Sequence, residues 1–142
     1  DLVHVKAWAY AGCDPTDQLL IGPALAVPNA LDKAGLGLKD MDVVDFHEAF
    51  AAQVLCVLKA MGSAAFCRER MGLDAPVGEV DPEILNVHGG SVSIGHPFGA
   101  TGARMVNTMA NELRLTGKEH ALLAACAAGG LANALILQRL GN

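Results

Sequence analysis

Short apolar runs of strand period alternate along this chain with longer segments of helical period, and that alternation restricts it to an α/β architecture. Val3 to Tyr10 reads as a strand, with Val3, Val5, Ala7 and Ala9 alternating against His4, Lys6, Trp8 and Tyr10. The pattern already runs through Asp1 and Leu2. Asp42 to Phe46 and Ile84 to Val87 read as two further short strands. His120 to Cys126 is a buried apolar strand, Ala127 to Gly130 a tight connection and Leu131 to Gln138 the last strand.

Helices fill the gaps. Leu19 to Val27 is apolar but broken by Gly22-Pro23, so an irregular segment is predicted there. Pro28 suits the first turn of a short helix that Gly35 ends. Glu48 to Met61 carries Phe50, Val54, Val57, Leu58 and Met61 along one face. Residues 62–83 are rich in Gly and Pro and predict a surface excursion, with a short helix near Phe66 to Met71. Gly89 to Gly102 leads into a helix with a stripe of Met105, Val106, Met109, Ala110 and Leu113, stopped by Gly117. The predicted order is β-α-β-α-β-α-β-β. It implies a mixed five-stranded sheet with helices on its faces, the last two strands an antiparallel pair.

At 142 residues the chain fits one domain, taken here as 1–142, with a core that needs no disulfide or metal. Aromatics make up 4% of the residues, so Ala, Val, Leu and Ile must build that core. A net charge of -5, mixed in sign along the chain, leaves no basic patch for nucleic acid or an anionic membrane. No apolar run reaches the roughly 18 residues of a spanning helix. Cys13, Cys56, Cys67 and Cys126 form no C-x-x-C pair and no zinc spacing, which predicts free thiols in a reducing compartment and no metal site. The abrupt opening inside a strand predicts a longer parent chain.

Reactive residues follow three of the predicted strands directly. His47 follows Phe46, His96 lies in the Gly-rich loop after Val87, and Cys126 closes the strand from His120. Open α/β sheets gather their sites at the carboxyl ends of strands, so these groups are predicted to converge. A thiol beside an imidazole is readily deprotonated, a second imidazole can serve a developing oxyanion, and the chemistry that results is acyl transfer. Singly, each has a plainer reading: a loop histidine, a core cysteine, a turn. The Gly-rich loop contains neither phosphate-binding pattern. His4, His88 and His120 are assigned to structure or surface.

Taken together, the segments carry a family signature. His47-Glu48-Ala49-Phe50 resembles the N/H-E-A-F motif of thiolases. Asn86 to Gly102, with Gly89-Gly90 and Gly95-His96-Pro97 inside it, resembles the thiolase N-x-x-G-G-x-x-x-x-G-H-P-x-G-A-[ST]-G signature, and Cys126-Ala127-Ala128-Gly129-Gly130 resembles the closing C-x-[GA]-G-G. The resemblance covers essentially the whole chain. Asp17-Gln18-Leu19-Leu20, Gly22-Pro23 and His rather than Asn at position 47 resemble the β-subunit type of the trifunctional complex and its bacterial relatives.

The resemblance implies roles. His96 matches the base that activates a nucleophilic cysteine and helps hold the thioester oxyanion. Cys126 matches the second catalytic cysteine, which exchanges the α-proton of acetyl-CoA. His47 matches the position that orients a water in the first oxyanion hole. The N–H of Ala128, where the family often has Gly, matches a donor of the second hole, and Phe50 matches a residue of the acyl-pantetheine tunnel. The nucleophile and the CoA-gripping loop domain belong to an N-terminal half absent from these residues, and Cys13, Cys56 and Cys67 sit in no matching motif.

The resemblance therefore implies the C-terminal half of a degradative 3-ketoacyl-CoA thiolase, an acyltransferase of fatty acid β-oxidation, inactive as this chain alone. CoA and acyl-CoA are its implied substrates, with no bound cofactor. A homodimer is implied, docked in some relatives on a hydratase/dehydrogenase subunit, in a bacterial cytoplasm or mitochondrial matrix. A stand-alone, non-catalytic thiolase-like binding or assembly module is the alternative, against which the retention of His47, His96 and Cys126 argues. A ketoacyl synthase is disfavoured by the missing H-G-T-x-T motif.

Overall fold

The computed structural model describes residues 3–141, so the alternation at Asp1 and Leu2 lies outside the described residues. The strands are β1 (Val3–Gly12), β2 (Val43–Phe46), β3 (His120–Ala127) and β4 (Leu131–Arg139). They form one four-stranded sheet in the order β1-β4-β3-β2. β1 and β3 pair antiparallel with β4, and β2 pairs parallel with β3. The helices are α1 (Pro15–Gln18), α2 (Gly22–Ala34), α3 (Ala51–Gly62), α4 (Ala64–Met71), α5 (Ser91–Ile94) and α6 (Thr101–Thr116).

Strand alternation sorts the core onto two faces. Val44, Phe46, Leu122, Ala124, Ala132, Ala134 and Ile136 point to one face, where Ala24, Val27 and Leu31 of α2 and Val54, Val57 and Met61 of α3 cover them. Val43, Ala121, Leu123 and Leu137 point to the other, under Met105, Met109 and Leu113 of α6. The stripe read for α6 is the buried one, and Gly117 ends that helix in the left-handed conformation, φ 75°. Gly35 ends α2 in the same way, φ 68°.

Two expectations are corrected. The segment Leu19 to Val27 is helical from Gly22, and Pro28 sits inside α2 rather than in its first turn. An interior proline costs about 3 kcal/mol. Burial of Ala24, Ala26, Val27, Ala30 and Leu31 against the sheet offsets that cost. Gly22 lets the helix start close to β4, since a Cβ there would stand 2.6 Å from Ala132 Cβ.

The predicted strand Ile84 to Val87 is absent, so the sheet has four strands and not five. Pro82–Ile84 forms a 3-10 turn, and Leu85 makes a single parallel bridge to Val44. Asn86 then turns left-handed, φ 47°, which stops extension. Its side chain takes over the strand's pairing: Oδ1 accepts from Phe46 N–H at 2.7 Å and Nδ2 donates to Phe46 O at 2.9 Å. Among the described residues, no single helix is long and apolar enough to cross a membrane.

Candidate active site

β2 ends at Phe46, and the next residue, His47, still donates its N–H to Ala124 O of β3 at 2.8 Å. Its ring is therefore fixed at the carboxyl rim of the parallel pair. His47 is 4% exposed. His96 arrives from the loop between α5 and α6 and is solvent-exposed. The two rings lie 4.3 Å apart, centroid to centroid, tilted by 42°. Phe98 stands beside His96 at 5.1 Å.

A hydroxyl orients each ring. His47 Nδ1 bonds Ser91 Oγ at 3.1 Å, and His96 Nδ1 bonds Thr101 Oγ1 at 2.6 Å. Ser91 and Thr101 are buried and begin α5 and α6, so helix starts hold both contacts in place. With Nδ1 occupied, Nε2 is the nitrogen each ring presents for chemistry. Burial, then the neighbouring His96 and Arg104, hold the His47 imidazole below its ordinary pKa, so it is neutral at neutral pH.

A charge pair lies beside this segment, its carboxylate buried and its guanidinium partly exposed. Asp45, two residues before His47, meets Arg104 of α6 at 3.4 Å. Burial pushes the Asp45 carboxyl up, against the pull of Arg104.

Cys126 sits one residue before the end of β3, at the same rim. It lies on β3, next to β2, but its register partner is Ala132 and it follows Leu122 and Ala124 on the face covered by α2. His47 follows Val43 and Asp45 on the α6 face. The structure thus brings the two histidines into contact, and Cys126 closes the neighbouring strand at the same rim. Burial pushes the Cys126 thiol above its ordinary pKa, so it is protonated at rest. Past it, Gly129 and Gly130 turn with φ 86° and 77°. A Cβ on Gly130 would strike the Cys13 carbonyl, which ties this turn to the end of β1. Ala128 is exposed and outside the left-handed region, so alanine fits that turn without backbone strain. Phe50 is 64% exposed and precedes α3 in extended conformation, so it is not part of that helix's buried stripe.

Sequence reading missed the partners of these groups. Ser91 and Thr101 lay inside the signature without a role, and Arg104 gave no signal. All four cysteines are free thiols. Among the described residues, no group of three or more His, Cys, Asp or Glu could hold a metal ion. His88 bonds Glu112 of α6 at 2.8 Å.

Residues 1–139 match the thiolase C-terminal domain family. The chain is similar to the mitochondrial trifunctional enzyme subunit beta of Mus musculus, 49% identical over 135 residues, covering 95% of this chain and 28% of that protein. It is similar to a 3-ketoacyl-CoA thiolase of Photorhabdus laumondii, 48% identical, covering 96% of this chain and 31% of that one. The crystal structure of human mitochondrial 3-ketoacyl-CoA thiolase in complex with CoA superposes with a TM-score of 0.80 at 38% identity, covering 97% of this chain and 30% of that chain. The chain spans less than a third of the length of these relatives.

Proposed function

The chain belongs to the thiolase family as its C-terminal domain, and on that premise we propose that it supplies one catalytic half of a degradative 3-ketoacyl-CoA thiolase. Residues 1–142 would be that half, and a segment outside them would bring the nucleophilic cysteine and the loops that grip CoA. The observation that carries the reading is the His47–His96 pair, two imidazoles 4.3 Å apart at the carboxyl rim of the sheet with their Nδ1 atoms already occupied.

The reaction then runs in two stages. His96 Nε2 takes the nucleophile's proton, and the thiolate adds to the C3 carbonyl of a 3-ketoacyl-CoA. The C2–C3 bond breaks, its electron pair passes to C2, and the Cys126 thiol protonates the acetyl-CoA enolate. The Cys126 thiolate next takes the proton of incoming CoA, whose sulfur displaces the acyl group and regenerates the enzyme. His47, by orienting a water, and His96 form the first oxyanion hole, which holds the thioester oxygen, and the Ala128 N–H is a donor of the second. Phe50 lines the acyl-pantetheine tunnel. CoA and acyl-CoA are substrates, and no metal or bound cofactor takes part.

The parent protein would work as a homodimer docked on a hydratase/dehydrogenase subunit, in a mitochondrial matrix or a bacterial cytoplasm. Trp8 and Tyr10, 56% and 75% exposed, line a cavity of about 360 Å³ on the α6 face, which we assign to the missing half. Alone, the 142-residue chain is inactive. The test is thiolysis: the full-length protein should release acetyl-CoA from 3-ketoacyl-CoA plus CoA, and this chain should release none. A full-length protein that binds CoA without cleaving the substrate would leave a binding module instead.

A further inference from the structure

We propose that Glu48 is a positioning residue, whose carboxylate clamps the His47 segment to the loop that carries Ser91 and His96. Each of its oxygens receives one donor. Asn86 Nδ2 donates to Oε1 at 2.8 Å, and the Val92 N–H donates to Oε2 at 3.0 Å. Val92 follows Ser91, the hydroxyl that holds His47 Nδ1. Asn86 in turn holds both backbone groups of Phe46, and its own N–H donates to Val44 O at 2.7 Å. The residues on either side of His47 are thus tied to the segment that brings His96.

Gly90 provides the second observation. Its backbone is extended, φ -148° and ψ -160°, a conformation any residue adopts. Space is what requires glycine there: a Cβ would stand 2.5 Å from both Cδ and Oε2 of Glu48. The second glycine of the pair is a seat for this carboxylate. Carboxylate chemistry also matters, because both oxygens must accept. A glutamine would set its own NH2 against one of the two donors.

The kinetic part of this inference rests on the thiolase reading, and the structural part does not. The experiment uses the full-length protein with Glu48→Gln and Gly90→Ala. Removing the Glu48 charge would by itself move the titration of His47, since that charge is among its neighbours. Gly90→Ala keeps the charge and displaces the carboxylate, so it carries the decision. NMR titration should show the His47 midpoint moving in Gly90→Ala. Turnover should fall roughly tenfold to a hundredfold in both variants, with KM within about twofold, as expected when reacting groups are misplaced but binding is intact. An unchanged His47 titration in Gly90→Ala overturns the role, whatever the activity. A loss of KM with turnover retained overturns it too. A wild type without thiolysis counts against the thiolase reading only, and the titrations still decide the clamp.

Discussion

His47 and His96 lie 49 positions apart in sequence yet their rings meet at 4.3 Å, each fixed at Nδ1 by a hydroxyl from the first residue of a helix. Their tautomers are coupled to Ser91 and Thr101. Thr101→Val should therefore slow acylation of the nucleophile about tenfold by releasing His96, while costing about 1 kcal/mol of stability for one hydrogen bond. Ser91→Ala should act the same way through His47. Single-turnover acylation beside urea denaturation checks both. Wild-type acylation in Thr101→Val would show that the hydroxyl does not orient the base.

Arg104 is the cation beside Asp45, whose side chain is 2% exposed. Arg104→Ala should cost about 3 kcal/mol at pH 7.5, because a buried carboxylate loses its partner. Asp45 would then ionise less readily still. The penalty exists above its folded pKa and is relieved as pH falls and the carboxyl takes up a proton. Adding Asp45→Asn should recover most of the loss. Urea midpoints of the single and double variants decide; an additive double variant contradicts the pairing.

His47 gives a second pH dependence. Its folded pKa lies below the unfolded value, chiefly through burial. The unfolded chain therefore binds the proton first, and stability falls as pH drops below about 6.5, until the folded pKa is reached. Between pH 7.5 and 5.5 the wild type should lose more stability than His47→Gln. Equal losses in thermal or urea midpoints would place the imidazole in water.

The cysteines should differ in reactivity. Cys56 is exposed, Cys126 is 7% exposed with a raised pKa, and Cys67 is fully buried. Iodoacetamide at pH 7.5 should label Cys56 at least about tenfold faster than Cys126, since the thiolate is the reacting form, with Cys67 last. Peptide mass spectrometry reads the order. Cys126 labelling as fast as Cys56 would mean its thiol is already activated in this domain.

The groups of the candidate site were legible because each follows an apolar strand or sits in a Gly-rich run. Local patterns of that kind survive in one sequence. Helix ends at Gly35 and Gly117 were legible for the same reason, as left-handed stops. What joins the site was not. Asn86 to Glu48, His47 to Ser91 and Arg104 to Asp45 span 38, 44 and 59 positions, and no period links them. The fifth strand failed because Asn86 pairs with β2 through its side chain, which an apolar run from Ile84 to Val87 does not announce. Pro28 misled for the opposite reason: tertiary burial along α2 overrode a local helix breaker.

Division of labour between His96 and Cys126 is the central claim, and one mass measurement tests it. Full-length wild type, Cys126→Ala and His96→Ala are each mixed with a saturated acyl-CoA, then with a 3-ketoacyl-CoA, and intact mass and acetyl-CoA are read. Cys126→Ala should still gain the acyl mass from the saturated thioester, because a CoA thiolate can leave without a general acid, yet release no acetyl-CoA from the keto substrate, whose enolate needs one, and His96→Ala should gain no acyl mass. Acetyl-CoA release by Cys126→Ala, or acylation of His96→Ala at the wild-type rate, would contradict it.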